Sequence, residues 1–299
     1  MKSIKSKLII ISIVVIIFLA IILTFVMNIH SRLQSKENLF SAIENNDMPT
    51  IERILEEYPS LINEKQYFSD ILSILSECSN PTPLLEAIRF NNIDLIKYLV
   101  ENGADVNISK GTKVAYPIIE ILNRGFGEVC DIRYELAWLL IEHGADLNVK
   151  QQYGTVPYAI VGVKISDHNT NLQQQSLELM KYVIEQGVSL EAPNPSEIQS
   201  SDSERHTYYQ INEIIGIAAR NNYVLIVQYL LDNQIYGIDD SVSLDGTTAL
   251  IQAVKGEAYS TCKLLIEYGV DKSKVDSNGK TAYDYAIEVG NQEIIALLK

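Results

Sequence analysis

Residues Thr82–Asn107, TPLLEAIRFNNIDLIKYLVENGADVN, hold two short amphipathic segments joined by a two-asparagine stop. Thr82 is placed to cap a first helix, and the ring of Pro83 fixes φ for its opening turn. Leu84, Leu85, Ala87 and Ile88 supply the apolar side. Asn91-Asn92 ends the helix, because asparagine tolerates the left-handed backbone that a helix stop requires. Leu95, Ile96, Leu99 and Val100 recur at i, i+1, i+4 and i+5, the stripe of a second helix. Gly103 terminates it, and Ala104-Asp105-Val106-Asn107 turns the chain outward. One such unit cannot bury its own apolar faces, so the pattern has meaning only if neighbours repeat it.

Neighbours do repeat it. The sixteen-residue interval from Ala87 to Gly103 recurs from Ala253 to Gly269. Thr281–Ala286 opens a further copy, with Gly290-Asn291 as its stop. Glu135–Asn148, Leu177–Glu191 and Tyr223–Gln234 each read as a second helix and its turn, and Leu39–Asn63 as a degenerate first copy. The turn positions are Gly103, Gly144, Gly187, Gln234 and Gly269, and about seven units result. Pro117 and Pro157 align with Pro83, so Ile121 and Val161 take the place of Ala87. Measured this way, extra residues fall near Arg124–Ile132 and Lys164–Gln174. Further insertions are Glu64–Asn80, where Phe68–Ser76 reads as a helix, and Ala192–Tyr209, which reads as a mobile, polar finger loop.

The second copy closely resembles an ankyrin repeat, whose pattern is Thr-Pro-Leu-His-x-Ala in the first helix and Gly-Ala-Asp after the second. Thr82, Pro83, Leu84 and Ala87 match, with Leu85 where His is usual. The resemblance covers about residues 39–299, with its firmest motifs in the second and sixth copies. It implies an all-α solenoid of about seven helix–turn–helix units with finger loops and a role in binding proteins, and one transmembrane helix is expected to precede it.

That preceding helix follows from Leu8–Met27, twenty residues without a charge. At about 1.5 Å per residue this length crosses a hydrocarbon core of about 30 Å. It exceeds the apolar core of a cleaved signal peptide, and no Ala-x-Ala-like site follows. The expected layout is a basic tail at 1–7, an uncleaved signal anchor at 8–27, a tether at 28–38 and repeats from 39 to 299. Lys2, Lys5 and Lys7 outweigh Arg32 and Lys36 beside Glu37, which places the amino terminus in the cytoplasm and the repeats outside it, in the periplasm if the cell is Gram-negative.

Formal net charge is −14, and residues 1–30 carry three lysines and no acid, so the remainder is −17. Such a surface repels nucleic acid and favours a basic protein partner. His30, His143, His168 and His206 are scattered without metal-ligand spacing, and neither a phosphate loop nor a nucleophile elbow appears. No cofactor, no metal, no small-molecule substrate and no catalysis are expected. Cys262 falls at a core position of a second helix. Cys78 and Cys130 fall in insertions, and nothing in the sequence brings them together.

Candidate partner-binding residues lie on fingers and first helices: Ile108 and Lys110 on one finger, Gln151 and Tyr153 on the next, and Glu86, Glu120 and Gln252 along a concave face. Trp138 stands where other copies have Lys97, Lys181, Gln228 and Lys263, an outward position. It is expected to be covered by Phe126 from the Gly125-Phe126-Gly127 insertion, with a partner hot spot as the alternative. Tyr98, Tyr182 and Tyr229, one residue later, are expected in the stacking core. The resemblance extends to bacterial ankyrin proteins outside the cytoplasm, some of which look like immunity proteins that sequester secreted toxins. Others are associated with catalase and peroxide resistance.

Overall fold

The computed structural model describes residues 2–66, 81–108, 115–124, 132–151, 154–166, 169–191 and 213–299. The expected Phe68–Ser76 helix, the Ala192–Tyr209 finger, Phe126, Cys78, Cys130, Lys110 and Tyr153 lie outside the described residues. Fourteen α-helices fall among them, forming seven helix–turn–helix pairs. The chain divides into two compact units, the first reaching Ala104 and the second running from Asp105 to Lys299.

In the first unit, α1 (Lys2–Glu44) runs unbroken for 43 residues into the first copy. The 28–38 segment read as a tether is therefore helical. Its carboxyl-terminal turns supply the first helix of that copy, with Leu39, Phe40 and Ile43 buried. They pack on α2 (Met48–Glu57) and on α3 (Pro83–Arg89), and α3 pairs with α4 (Ile93–Glu101). Polar bonds brace the junction. Ser31 and Tyr58 share a hydroxyl bond of 2.9 Å, Lys36 Nζ lies 3.0 Å from Glu64 Oε2, and Arg32 pairs with the same carboxylate. The apolar residues from Ile13 to Leu33 are exposed by contrast, so this half of the helix is covered by nothing in the described chain.

The second unit stacks in two rows. First helices α5 (Pro117–Leu122), α7 (Val156–Val161), α9 (Ile214–Arg220), α11 (Ala249–Lys255) and α13 (Ala282–Val289) lie side by side. Second helices α6 (Ile132–Glu142), α8 (Thr170–Glu185), α10 (Val224–Asp232), α12 (Tyr259–Glu267) and α14 (Gln292–Leu298) form the other row. The expected caps are in place. Thr82, Thr248 and Thr281 each accept an amide bond in the first turn of their helices, and Thr281 forms a reciprocal capping box with Asp284. All five turn positions are left-handed: Gly103, Gly144, Gly187, Gln234 and Gly269 have φ between +56° and +90°. The stops Asn91, Asn222 and Gly290 are left-handed as well. Cys262 is fully buried, as its place in α12 requires.

Two details depart from expectation, and the fingers of the expected, mostly helical fold add short strand pairings: β1 (Lys150–Gln151) and β2 (Gly154–Thr155) make a short antiparallel hairpin, with isolated bridges at Ser241–Thr248 and Val275–Thr281. These are fingers whose two arms approach closely enough to share backbone bonds. The insertion read at Lys164–Gln174 is a loop only in part. Asn169 caps Leu172 N at 3.0 Å, and α8 extends to 16 residues because its added turns find partners in the next copy. Gln173 Nε2 donates to Asn222 O at 2.6 Å and its Oε1 accepts from Leu225 N at 3.3 Å. Finally, Tyr98, Tyr182 and Tyr229 are half-buried rather than core. Each lies on the flank of its second helix, where a ring reaches a neighbouring copy and keeps its hydroxyl end wet.

Arg133 is the one fully buried arginine among the described residues. Its Nη2 donates to the hydroxyls of Tyr223 (2.7 Å) and Tyr134 (3.0 Å), which donate onward to Val163 O and Ile160 O. Its Nε and Nη1 find no hydrogen-bond partner among the described residues. Burial works against the charge, and the two hydroxyls outweigh it, leaving the guanidinium pKa raised. A buried guanidinium balanced by phenols alone is a poor trade for stability.

Two outcomes follow. Gln234→Gly, at an exposed side chain in a left-handed turn, is expected to raise stability by about 0.5–1 kcal/mol in urea unfolding; no gain would place the turn elsewhere. Tyr223→Phe is expected to cost about 1–3 kcal/mol, because Arg133 then loses an acceptor. Arg133→Met leaves both phenols bonded to carbonyls and is expected to cost less, or to stabilise. The reverse order in the same unfolding series would overturn the account of this cluster.

Candidate partner-binding surface

The expected contact residues meet different fates. Glu86 is only 5% exposed, and its carboxylate accepts from Arg89 Nε at 2.6 Å. Gln252 is 4% exposed and donates to Thr247 Oγ1 at 2.9 Å. Neither lies open on a concave face, because α3 and α11 are buried on every side from their first residue to the sixth. Glu120 is half-buried, 3.9 Å from Arg124 Nη2. Ile108 is half-buried at the base of its finger, and Gln151 pairs through its backbone with Gly154. Trp138 is half-buried, and the ring that meets it is Tyr182, edge-on at 5.0 Å between centroids. Its cover therefore includes the next copy, at a position the repeat register places beside it. His143 is exposed, with Nδ1 held 2.9 Å from Leu139 O.

Fingers are tied to one another through their asparagine and aspartate side chains. Asn107 donates to Gly144 O and accepts from Asp146 N, both at 2.8 Å. Asp271 N donates in the same way to Asp239 Oδ1 at 2.9 Å. The side chains of Asn107 and Asp239 thus tie each turn to the backbone of the next, at Gly144, Asp146 and Asp271.

A denser site, not anticipated from the sequence, lies where α9, α11 and α13 end beside the last two fingers. Gly256 closes α11, and a Cβ there would stand 1.9 Å from Arg220 O. Only glycine lets the ends of α9 and α11 approach so closely, which brings Arg220 beside Lys255. Lys255 Nζ lies 4.2 Å from the centre of the Tyr285 ring and 3.9 Å from Asp245 Oδ2. Lys280 Nζ is 5.3 Å from the same ring and 2.6 Å from Glu288 Oε1. Burial lowers the Lys255 pKa; Arg220 and Lys280 add to the effect, while Asp245 and Asp276 oppose it. The fingers themselves are stiff. Ser277 N donates to Asp245 O at 2.8 Å, and Asp245 accepts from Ser243 Oγ and from Thr247 N. Asp276 accepts from Asn278 N (2.9 Å), Lys280 N (3.1 Å) and the Tyr285 hydroxyl (2.5 Å). Leu244, at the tip between them, is 86% exposed.

Burial alone would raise the Asp276 carboxyl, but the Tyr285 hydroxyl and the amides outweigh it and hold the pKa at about 2, while that bond pushes Tyr285 up to about 12. Among the described residues no group of three or more His, Cys, Asp and Glu is arranged to hold a metal ion.

Residues 215–299 match a family model described as ankyrin repeats (3 copies), and residues 79–108 match that of a single ankyrin repeat. Putative ankyrin repeat protein FPV234 of fowlpox virus (strain NVSL) is 33% identical over 87 residues, 28% of this chain and 18% of that protein. Putative ankyrin repeat protein FPV022 of the same virus is 25% identical over 244 residues, 75% of this chain and 36% of that protein. The chain thus spans about a third or less of the length of these curated relatives. The crystal structure of the human ASB11 ankyrin repeat domain aligns with a TM-score of 0.48 at 21% identity, covering 73% of this chain and 82% of that one.

Because the Asp276 pKa is depressed in the folded state, its bonds contribute stability above the unfolded aspartate value of about 3.9. That contribution is lost as pH falls through about 2. Asp276→Asn is therefore expected to flatten the acid limb of the stability–pH curve between about pH 4 and pH 2. An unchanged acid limb in this variant would show that the finger bonds are not made in solution.

Proposed function

We propose that this chain, an ankyrin-repeat protein, is a non-catalytic scaffold held at a membrane by residues 8–27, with its repeats on the extracytoplasmic side. The observation that carries the anchor is the exposure of every large apolar residue from Ile13 to Leu33 on a helix that then enters the first copy. A surface of this kind in water is a liability, and a hydrocarbon core of about 30 Å removes it. The excess of lysine before the span supports the orientation. Binding by the scaffold uses the fingers, including Ile108, Lys110, Gln151 and Tyr153. The net charge of −17 beyond residue 30 supports a basic protein partner for the surface as a whole. The finer reading is sequestration, in which the scaffold acts as an immunity protein and covers the active site of a toxin. Support of a catalase or another envelope stress enzyme is the competing use.

Alkaline carbonate extraction and protease protection test the anchor. The full chain is expected in the membrane pellet, with residues beyond 30 cleaved only from the extracytoplasmic side. Removal of residues 1–30 is expected to release it to the soluble fraction. A full chain that washes free in carbonate would sink the anchor. Deleting the gene and challenging the cell with the effector encoded beside it tests sequestration, which unchanged survival would end.

A further inference from the structure

We propose that the ends of α9, α11 and α13 and the last two fingers form a docking notch for an acidic, partly apolar segment of a partner protein. The segment places a carboxylate on Lys255, over the Tyr285 ring, and an apolar side chain against Leu244. The inference rests on the scaffold reading above and names the chemistry of one site within it.

Leu244 is the most exposed large apolar residue among the described residues of the repeats, at 86%, and its loop is not slack. The bonds of Asp245 to Ser243 and Thr247, and of Ser277 to Asp245, hold the tip in one conformation. A leucine presented on a rigid turn loses little entropy on docking, which is what an interface anchor requires. Asp245 links the anchor to the charge: it adjoins Leu244 in the chain and lies 3.9 Å from Lys255.

The acids and the bases in this notch are not in the same state. Asp276 is held by backbone and hydroxyl donors, Asp245 Oδ1 by its own loop with Oδ2 turned to Lys255 at 3.9 Å, and Glu288 by Lys280. Lys255 is half-buried and packed over an aromatic face, and among the described residues its ammonium has the Asp245 carboxylate at 3.9 Å and no hydrogen bond. Arg220 and Lys280 stand near enough to affect its ionisation. The least satisfied group is therefore the Lys255 ammonium, whose ion partner Asp245 stands at 3.9 Å, beyond hydrogen-bond reach, and a ligand carboxylate supplies the close acceptors it lacks. Locally the notch selects an acidic ligand, although the surface as a whole is acidic.

The full chain, inserted in nanodiscs, is used to select from a displayed library of random twelve-residue peptides. Peptides combining Asp or Glu with Leu, Ile, Val or Phe are expected to be enriched. Affinity of a selected peptide is expected to fall about tenfold or more in Leu244→Ser and in Lys255→Gln, to persist in Lys255→Arg, and to be unchanged in Glu56→Gln. Thermal midpoints of the variants check folding. Enrichment of lysine- and arginine-rich peptides, or binding indifferent to both notch substitutions, would overturn the notch. Binding lost in Ile108→Ser but not in Leu244→Ser would also overturn it while leaving the scaffold standing. If nothing is enriched, the notch fails as a peptide site, whereas the scaffold is judged by co-purification of its native partner.

Discussion

The first helices of the second unit, six to eight residues long, are too short to exist without their neighbours. α11 is seven residues long and six of them are buried, an environment available only because α9 and α13 flank it. The small residue at the centre of that contact is what allows the approach: Ala253 and Ala286 are completely buried, and so is Ala87 in the first unit. A larger side chain there would push adjacent copies apart and open the row behind them. The stops between helices serve the same end, since a left-handed residue reverses the chain in the space of one turn and keeps the pairs narrow.

This dependence decides what could be read from the sequence. Features belonging to one copy were legible: Thr82 and Thr281 as caps, Gly103 to Gly269 as turns, and even Gln234 as a turn lacking its glycine. Features created between copies were not. The added turns of α8 exist because Gln173 finds the backbone of Asn222 and Leu225, nearly fifty residues away. Nothing within its own copy marks Arg133 for burial, since the hydroxyl that meets it belongs to Tyr223, ninety residues later. Glu86 and Gln252 were placed on the open face by their position in the helix, but lateral packing and Arg89 or Thr247 enclose them. The Lys255–Tyr285 stack was hidden for the same reason, its partners lying thirty residues apart.

Charge shows the same division between whole and part. The −17 beyond residue 30 governs approach from a distance, where contributions add and salt screens them. At contact distance, what counts is which groups already have partners. In the last two fingers the carboxylates are bonded within their loops, whereas the Lys255 ammonium beside them has its carboxylate partner only at 3.9 Å. A surface can therefore attract one kind of molecule overall and hold a different kind of group at one point.

The unbroken α1 has a mechanical consequence. A flexible linker would let the first copy swivel independently of the apolar half of the helix. Here the same rod carries both, and Ser31, Arg32 and Lys36 are bolted to Tyr58 and Glu64 only a turn or so past the apolar run. Whatever grips the rod at one end sets the bearing of the first copy at the other, so tilt and roll reach that copy without a joint to absorb them.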